Sequence, residues 1–405
     1  MIFYFDNAAT TKIKPEVLEE MMPYLTEDYG NPSSLYTPGR KARRAIEQAR
    51  ERVADLINCN KNEIYFTSGG SESDNTAIKG IFGPNDSQIV TTKIEHHAIL
   101  ESCKAMEKQG FEVTYLNVDK NGIVDLEELK QAISDKTILI SIMFANNEIG
   151  TIQPIEEIAR IAHSKNIIFH TDAVQAIGNV PIDVQKMGID MLSMSSHKIN
   201  GPKGVGALYV KNGIEFEKFI NGGHQEKNKR AGTENLAGIV GFGKACEIAK
   251  QNMEHHIKYL ENIRNYFMQE VSKSIENIEI NGSMEHRLPG NINISFKGID
   301  STALVLELDK KGICTSSGSA CNSSEAEPSH VLKAIGLDDE TAKSALRVTF
   351  SEFNTKAQVD YLVNNLKYCV EHLRNWQIGD GHLGTEIFGH KIVSENLRPQ
   401  MTVPN

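Results

Sequence analysis

The chain has a single tryptophan, and aromatic residues make up only 7% of its 405 positions. Its six cysteines include no pair in C-x-x-C spacing, which argues against a structural zinc site, and no metal is expected. No unbroken apolar run approaches the ~18 residues of a membrane helix, so no membrane partner is expected. An excess of basic charge is also missing. Lys plus Arg number 43 against 53 Asp plus Glu, a formal net charge of −10, which argues against a nucleic-acid partner. The opening residues, MIFYFDNAATTK, have neither the basic n-region nor the apolar h-region of a secretory signal. A cytoplasmic protein with reduced thiols is therefore expected, and Cys59, Cys103, Cys246 and Cys369 read as small buried hydrophobes. With 40% hydrophobic and 24% charged residues, the composition is that of a globular protein.

The length implies two or three domains at ~150 residues each. Seven short, β-branched runs alternate with helical patterns: Glu63–Thr67, Gln88–Thr92, Glu112–Leu116, Thr137–Phe144, Ile167–Thr171, Asp190–Met194 and Val205–Val210. Between them lie amphipathic stretches such as Ile155–Lys165, with Ile155, Ile158, Ala159 and Ala162 at helical spacing. This alternation predicts an α/β fold with a mostly parallel seven-stranded sheet covered on both faces. Such sheets bind ligands at the carboxyl ends of their strands. After about residue 255 the rhythm changes: a helix His256–Ser274, strands near Ile278–Ile280 and Asn291–Phe296, a helix Ser301–Lys311, a Ser/Gly loop Thr315–Ser324, a strand Leu346–Ser351 and a helix Lys356–Asn375. The expected division is a large domain over 15–255, a smaller α+β domain over 256–375 joined by 1–14, and a surface tail over 376–405.

The polar residues that follow the strands carry the chemistry. In SSHKINGPKG, Lys198 follows a buried strand, with Ser195 and His197 before it and glycines after it. Those neighbours suit a Schiff-base amine beside a phosphate site, whereas most lysines are solvated surface charges. In IIFHTDAVQ, an apolar strand runs into Asp172. A buried carboxylate is costly unless paired, and Asp172 reads either as a cap or ion pair or as the partner of a pyridinium nitrogen. Gln175, three residues on, is placed to reach a ring hydroxyl. In YFTSGGSESDN, a strand enters a glycine turn and a helix begins near Ser71, so free backbone N–H groups form an anion site. His96 and His97 follow another strand, where an imidazole suits stacking on a flat ring or shuttling a proton. Asn147 ends a further strand. Lysine, aspartate, phosphate turn and histidine together describe a pyridoxal 5'-phosphate site. Separately, Cys321 lies in the small, polar stretch TSSGSACNSSEAEP, where a buried structural thiol would be out of place and an exposed nucleophile would not.

At this point the chain resembles the class V aminotransferase family, and more narrowly the cysteine desulfurases of the NifS/IscS type. The motifs are YFDNAATT, GNPSS, TSGGSESDN, EHHA, NNEIGT, DAVQ, SSHKINGPKG, GGHQE, RAGTEN and SSGSAC, in family order from the N-terminus to about residue 360. The resemblance implies the pyridoxal-phosphate-dependent transferase fold of type I. It also implies conversion of L-cysteine to L-alanine, with sulfur passed to an active-site cysteine as a persulfide for iron–sulfur cluster, tRNA or thio-cofactor synthesis. By the same resemblance Lys198 would hold the cofactor covalently, Asp172 its ring nitrogen and Gln175 its ring oxygen. His96 would stack on the ring and help move protons. Gly70, Ser71, Ser195 and His197 would bind its phosphate, Thr233 would do so from the other subunit of a homodimer, and Asn147 would line the cofactor. Asn31 and Arg347 would hold the substrate carboxylate, and Cys321, in a flexible loop, would accept the sulfur. A sulfur-acceptor protein, an iron–sulfur scaffold or a sulfurtransferase, is the implied partner. Selenocysteine fits the same attack. Two other readings share part of this pattern: a different aminotransferase or lyase of the fold, which has no need of Cys321, and a sulfur-trafficking scaffold without turnover, which has no need of Lys198.

Overall fold

The computed structural model describes residues 2–317 and 328–379. A two-residue strand, β1 (Phe3–Tyr4), comes first. Seven strands then alternate with helices: β2 (Ile64–Thr67), β3 (Gln88–Thr92), β4 (Glu112–Leu116), β5 (Thr137–Ser141), β6 (Ile168–Asp172), β7 (Met191–Ser195) and β8 (Gly206–Val210). They make one sheet in the order β2-β8-β7-β6-β5-β3-β4. Neighbours from β7 through β4 are parallel, and β8 runs antiparallel to both β2 and β7. The seven expected strands are thus the seven strands of the large sheet. The expected strand Thr137–Phe144 is shorter as a ladder and ends at Ser141, although Ile142 N and Phe144 N still bond His170 O and Asp172 O.

Alternate residues of the strands face opposite layers, as the pleat requires. Val90, Ile140, Phe169, Leu192 and Tyr209 join the larger core under the helices Thr37–Leu56 and Leu236–Ser274. Ile89, Leu139, Met191 and Leu208 face the other layer, under the helices Gly70–Lys79 and His97–Glu107. The two long helices of the first layer approach closely because small residues meet: a Cβ on Gly243 would lie 2.6 Å from Ala49 Cα. Helices on both faces of parallel strands leave the carboxyl ends of the sheet as the open edge.

A second, smaller sheet has β10 (Asn291–Phe296) between β9 (Ile278–Ile280) and β12 (Ala345–Thr349), all antiparallel. The short β11 (Ile313–Cys314) pairs with β1, which ties the N-terminus to this part of the molecule. Phe5, Phe267, Phe296 and Phe350 are buried in its core. Each stabilises the fold by roughly 1.5–3 kcal/mol through burial. The expected break at residue 255 falls inside one continuous helix, Leu236–Ser274. Its first turns (Leu236–Cys246) belong to the large core and its later ones (Leu260–Val271) to the small one. The periodicity therefore changes where the helix changes neighbours, not where it ends. The last helix, Lys356–Gly379, runs four residues past the expected Asn375. Residues 380–405, which hold most of the expected tail, and Cys321 lie outside the described residues. Among the described residues no helix is long and apolar enough to cross a membrane.

Candidate active site

At the carboxyl ends of β6 and β7 lies a cavity of about 400 Å3. Its floor is built by strand periodicity. His170 and Asp172 are two residues apart on β6 and share a face, and Asp172 sits opposite Ser193 on β7. The chain leaves β7 at Ser195 into a single turn, Ser196–Lys198, and so delivers Ser195, His197 and Lys198 to the cavity wall. The Lys198 amine donates to the Ala9 carbonyl at 2.9 Å and also to that of Ala8. Gln175 Nε2 donates to the same Ala8 carbonyl at 3.0 Å. Thr11 Oγ1 donates to His197 O at 2.8 Å. The segment Ala8–Thr11 therefore clamps the lysine turn, a function that motif recognition alone did not assign to it.

Gly70 and Ser71 begin the helix Gly70–Lys79, whose first N–H groups are an anion site. Two glycines allow this turn. A Cβ on Gly206 would lie 2.7 Å from Gly69 Cα, and one on Gly70 would lie 2.6 Å from Val174 Cγ2. Glu72 accepts Ser68 N–H at 2.8 Å and pairs with Arg230 of the RAGTEN segment through contacts of 2.9 and 3.1 Å. At the opposite wall Arg347, on β12, is nearly fully buried. Its guanidinium donates to Asp6 Oδ1 at 2.8 Å and to Asn147 O at 3.1 Å, and Nε has no partner among the described residues.

Burial dominates the electrostatics of the cavity and its surroundings. Burial pushes Asp172 up to about 6, opposed by the Val174 N–H, 2.9 Å away, and by the charge of Lys198. Asp74, which also lines the cavity, is pushed well above the usual carboxylate range by burial and then by the charge of Asp172. Its Oδ1 has no hydrogen-bond partner among the described residues. Burial raises Glu95 to about 8. Burial and then Lys198 lower His96 to about 4, and the same two causes lower His197 to about 4, with Lys203 adding to them. Two buried carboxylates side by side cannot both ionise cheaply, and a cation bound between them would relieve the cost.

Gly70, Ser71, His96, Asn147 and Asp172 all line this one cavity, as do Gln175, Ser195, His197, Lys198 and Arg347. Two expected residues do not line it. Asn31 is exposed and turns its Oδ1 to Ser33 N–H at 2.9 Å. Thr233 is exposed and is not on the wall of its own chain's cavity. Several lining residues were not anticipated, among them the titratable Asp74, Glu148 and His330. Asp74 in SESDN reads locally as an ordinary helix residue, and only its burial marks it.

The profile of the class V aminotransferase family matches residues 3–362. The chain is 54% identical over 376 residues to the cysteine desulfurase IscS of Clostridium botulinum, covering 92% of this chain and 95% of that protein. It is 52% identical over 375 residues to the cysteine desulfurase IscS of Methanosarcina thermophila, covering 92% and 93%. Among solved structures, a NifS-like protein superposes with a TM-score of 0.87 at 39% identity, over 92% of this chain and all (100%) of that one. The structure of SspA in complex with cysteine superposes with a TM-score of 0.75 at 38% identity, over 87% and 99%. The chain belongs to the class V aminotransferase family, and its fold is the expected α/β fold of type I. Within that family it belongs with the cysteine desulfurases of the IscS/NifS type.

Proposed function

We propose that the cavity holds pyridoxal phosphate and that the enzyme converts L-cysteine to L-alanine, with the sulfur passed to Cys321 as a persulfide. The observation that carries this reading is the convergence of Lys198, Asp172, His96 and the Gly70–Ser71 turn on one cavity wall. The donor set fits the cofactor. An anion site stands at the helix start, and an amine is held by two backbone carbonyls. The carboxylate of Asp172, under-compensated by its neighbours, suits a protonated ring nitrogen. When bound, the cofactor supplies an electron sink for charge left at the substrate α-carbon.

The protein's own residues do the rest. Ser71, Ser195 and His197 would hold the phosphate with the N–H groups of the helix start. Gln175, His96 and Asn147 would hold the ring. Arg347, oriented by Asp6, binds the substrate carboxylate. Lys198 removes the α-proton. The Cys321 thiolate attacks the substrate sulfur, the carbon–sulfur bond breaks, and a sulfur-acceptor protein, an iron–sulfur scaffold or a sulfurtransferase, later takes the sulfur away. A homodimer supplies Thr233 from the other subunit to the phosphate.

The test is direct. Purified protein loaded with pyridoxal phosphate should release alanine from L-cysteine, and borohydride should fix the cofactor on Lys198 in peptide mapping. Cys321→Ser should keep the cofactor absorbance and release almost no alanine, because a hydroxyl is a poor nucleophile toward sulfur and carries no persulfide. Cofactor fixed on another lysine, or alanine formed by Cys321→Ser at the wild-type rate, would sink the reading.

A further inference from the structure

The reaction just proposed moves one proton that the α-proton chemistry of Lys198 does not account for. The Cys321 thiolate and cysteine become a persulfide anion and alanine. The S–H and C–S bonds of the substrate break, while an S–S bond and a C–H bond on the former CH2 form. The thiolate's electron pair makes the S–S bond, and the C–S pair goes to carbon. The S–H proton must leave sulfur and a proton must reach the β-carbon. A group able first to accept and then to donate is required.

His96 has the wrong tautomer for that task. It is the N-cap of the helix His97–Glu107, and its Nδ1 accepts the Ala98 N–H at 3.1 Å. The neutral ring therefore carries its proton on Nε2 and has no lone pair to offer without breaking the cap. His330 has the opposite arrangement. It lines the same cavity, and its Nε2 lies 3.0 Å from the backbone oxygen of Glu95. A carbonyl accepts only, so Nε2 carries the hydrogen and the lone pair of the neutral ring is on Nδ1. The ring is further fixed by His97, whose centroid is 4.9 Å away at 51°. Glu148 lies on the same wall and favours positive charge on His97, against burial and His330. It is held there by the Ser329 hydroxyl at 2.5 Å. An imidazole on the cavity wall whose donor nitrogen is tied down, and whose other nitrogen has no hydrogen bond among the described residues, is built to take a proton and give it back.

We infer that His330 is a catalytic residue, the base that takes the proton from the substrate sulfur and returns it to the β-carbon. This rests on the cysteine reading of the site. The test compares two substrates on the holoenzyme. β-Chloro-L-alanine loses chloride after α-proton removal and has no S–H bond, so its turnover needs Lys198 but not His330. His330→Gln should slow alanine formation from cysteine by about 10²-fold, within the usual span of general acid–base catalysis. It should leave chloride release from β-chloroalanine within about twofold of wild type. The visible absorbance change on mixing with cysteine should also survive, since binding precedes the proton transfer. His330→Gln turning over cysteine at the wild-type rate overturns the assignment. So does a parallel loss of both reactions in His330→Gln and His330→Asn, which would make His330 part of the shared scaffold. A wild-type enzyme that eliminates chloride but leaves cysteine untouched refutes the cysteine reading itself, and the assignment with it.

Discussion

Two regions bury charge in this molecule, and they are built on opposite terms. Beneath β2, Arg50 and Glu226 are 3% and 7% exposed. The guanidinium grips the carboxylate at 2.6 and 2.8 Å and donates to Ile64 O at 2.9 Å and to Glu47 at 3.1 Å. The carboxylate also accepts Phe66 N–H at 2.8 Å, and the guanidinium lies 4.7 Å from the Phe66 ring centroid. Around the cavity the acids are left short. Asp74 Oδ1 and Glu95 Oε2 have no hydrogen-bond partner among the described residues, the His170 imidazole standing 4.0 Å from Asp74 Oδ1, and burial drives both groups toward the neutral form. A buried charge whose bonds are all met is architecture, whereas one whose bonds are missing is waiting for a ligand.

The pair beneath β2 also holds a costly backbone. Glu226, Lys227 and Asn228 all take positive φ, at 45°, 57° and 63°. Three consecutive left-handed residues without glycine persist only where the surroundings over-determine them. GGHQE, a motif of the family resemblance, is therefore structural at its glutamate.

The sharpest way to break the comparison is at the functional end. Lys198→Ala removes the amine while leaving the acids in place, and cysteine turnover should fall by about 10⁴-fold, the upper span for a lost acid–base group. Thermal stability should change far less than the rate, because the amine and the Ala8 and Ala9 carbonyls it bonds stand at the cavity wall and the hydrophobic core beneath is untouched. A fall in Tm as large as the fall in rate would show that the lysine is architecture too.

The structural end should answer in the opposite currency. Glu226→Ala leaves Arg50 buried without its counter-charge and frees the strained segment. The expected loss is about 3–5 kcal/mol of folding stability, read by urea or thermal unfolding. Any activity that survives should keep its cofactor spectrum. A loss below about 1 kcal/mol would mean that solvent reaches Arg50 after all.

How far the sequence foretold these two regions differs for a physical reason. Lys198, Asp172, His96 and the Gly70–Ser71 turn were legible because each stands directly after an apolar run, and strand ends are where such sheets place their chemistry. The seven strands were legible from the same runs. Asp74, Glu95 and Arg50 were not, because they sit inside helices or turns whose local pattern is ordinary. Their burial is set by partners more than a dozen residues away: Asp172 for Asp74, Met143 for Glu95 and Glu226 for Arg50. The helix Leu236–Ser274 was misjudged at its start for a similar reason. Its glycine-rich first eight residues, 236–243, are all buried and show no polar face to mark the start.

A smaller effect separates Asp172 from its acidic neighbours. Asp172→Asn keeps the shape and the Val174 N–H contact but removes the negative charge at that end of the cavity. Pyridoxal phosphate affinity, followed by absorbance on dilution, should weaken by about 10²-fold, the scale of one lost charge-assisted contact (about 1.5–3 kcal/mol). Equal binding by the variant would place the required anion elsewhere, with Asp74 next to test.

The smallest effect tests whether the unmet acids cost stability, and its sign follows from linkage. Glu95 accepts the Thr92 hydroxyl at 2.7 Å and the Met143 N–H at 3.0 Å, and its second oxygen has no partner among the described residues. Its folded-state pKa is raised by burial, from 4.5 to about 8. Between those two values the folded protein keeps a proton that the unfolded chain has released. Stability contributed by Glu95 is therefore complete below the unfolded value and falls as the pH rises, levelling off above the folded value. Glu95→Gln does not titrate, so its stability should track wild type near pH 5 and exceed it increasingly toward pH 8. The gap should reach on the order of 1–2 kcal/mol, less than the full 1.4 kcal/mol per pH step because water relaxes buried sites. Urea unfolding of the cofactor-free protein at several pH values between 5 and 8 reads it directly. Parallel curves for the two proteins would show that Glu95 is ionised in the fold and paired after all, and the contrast with Arg50–Glu226 would then shrink to Asp74 and Asp172.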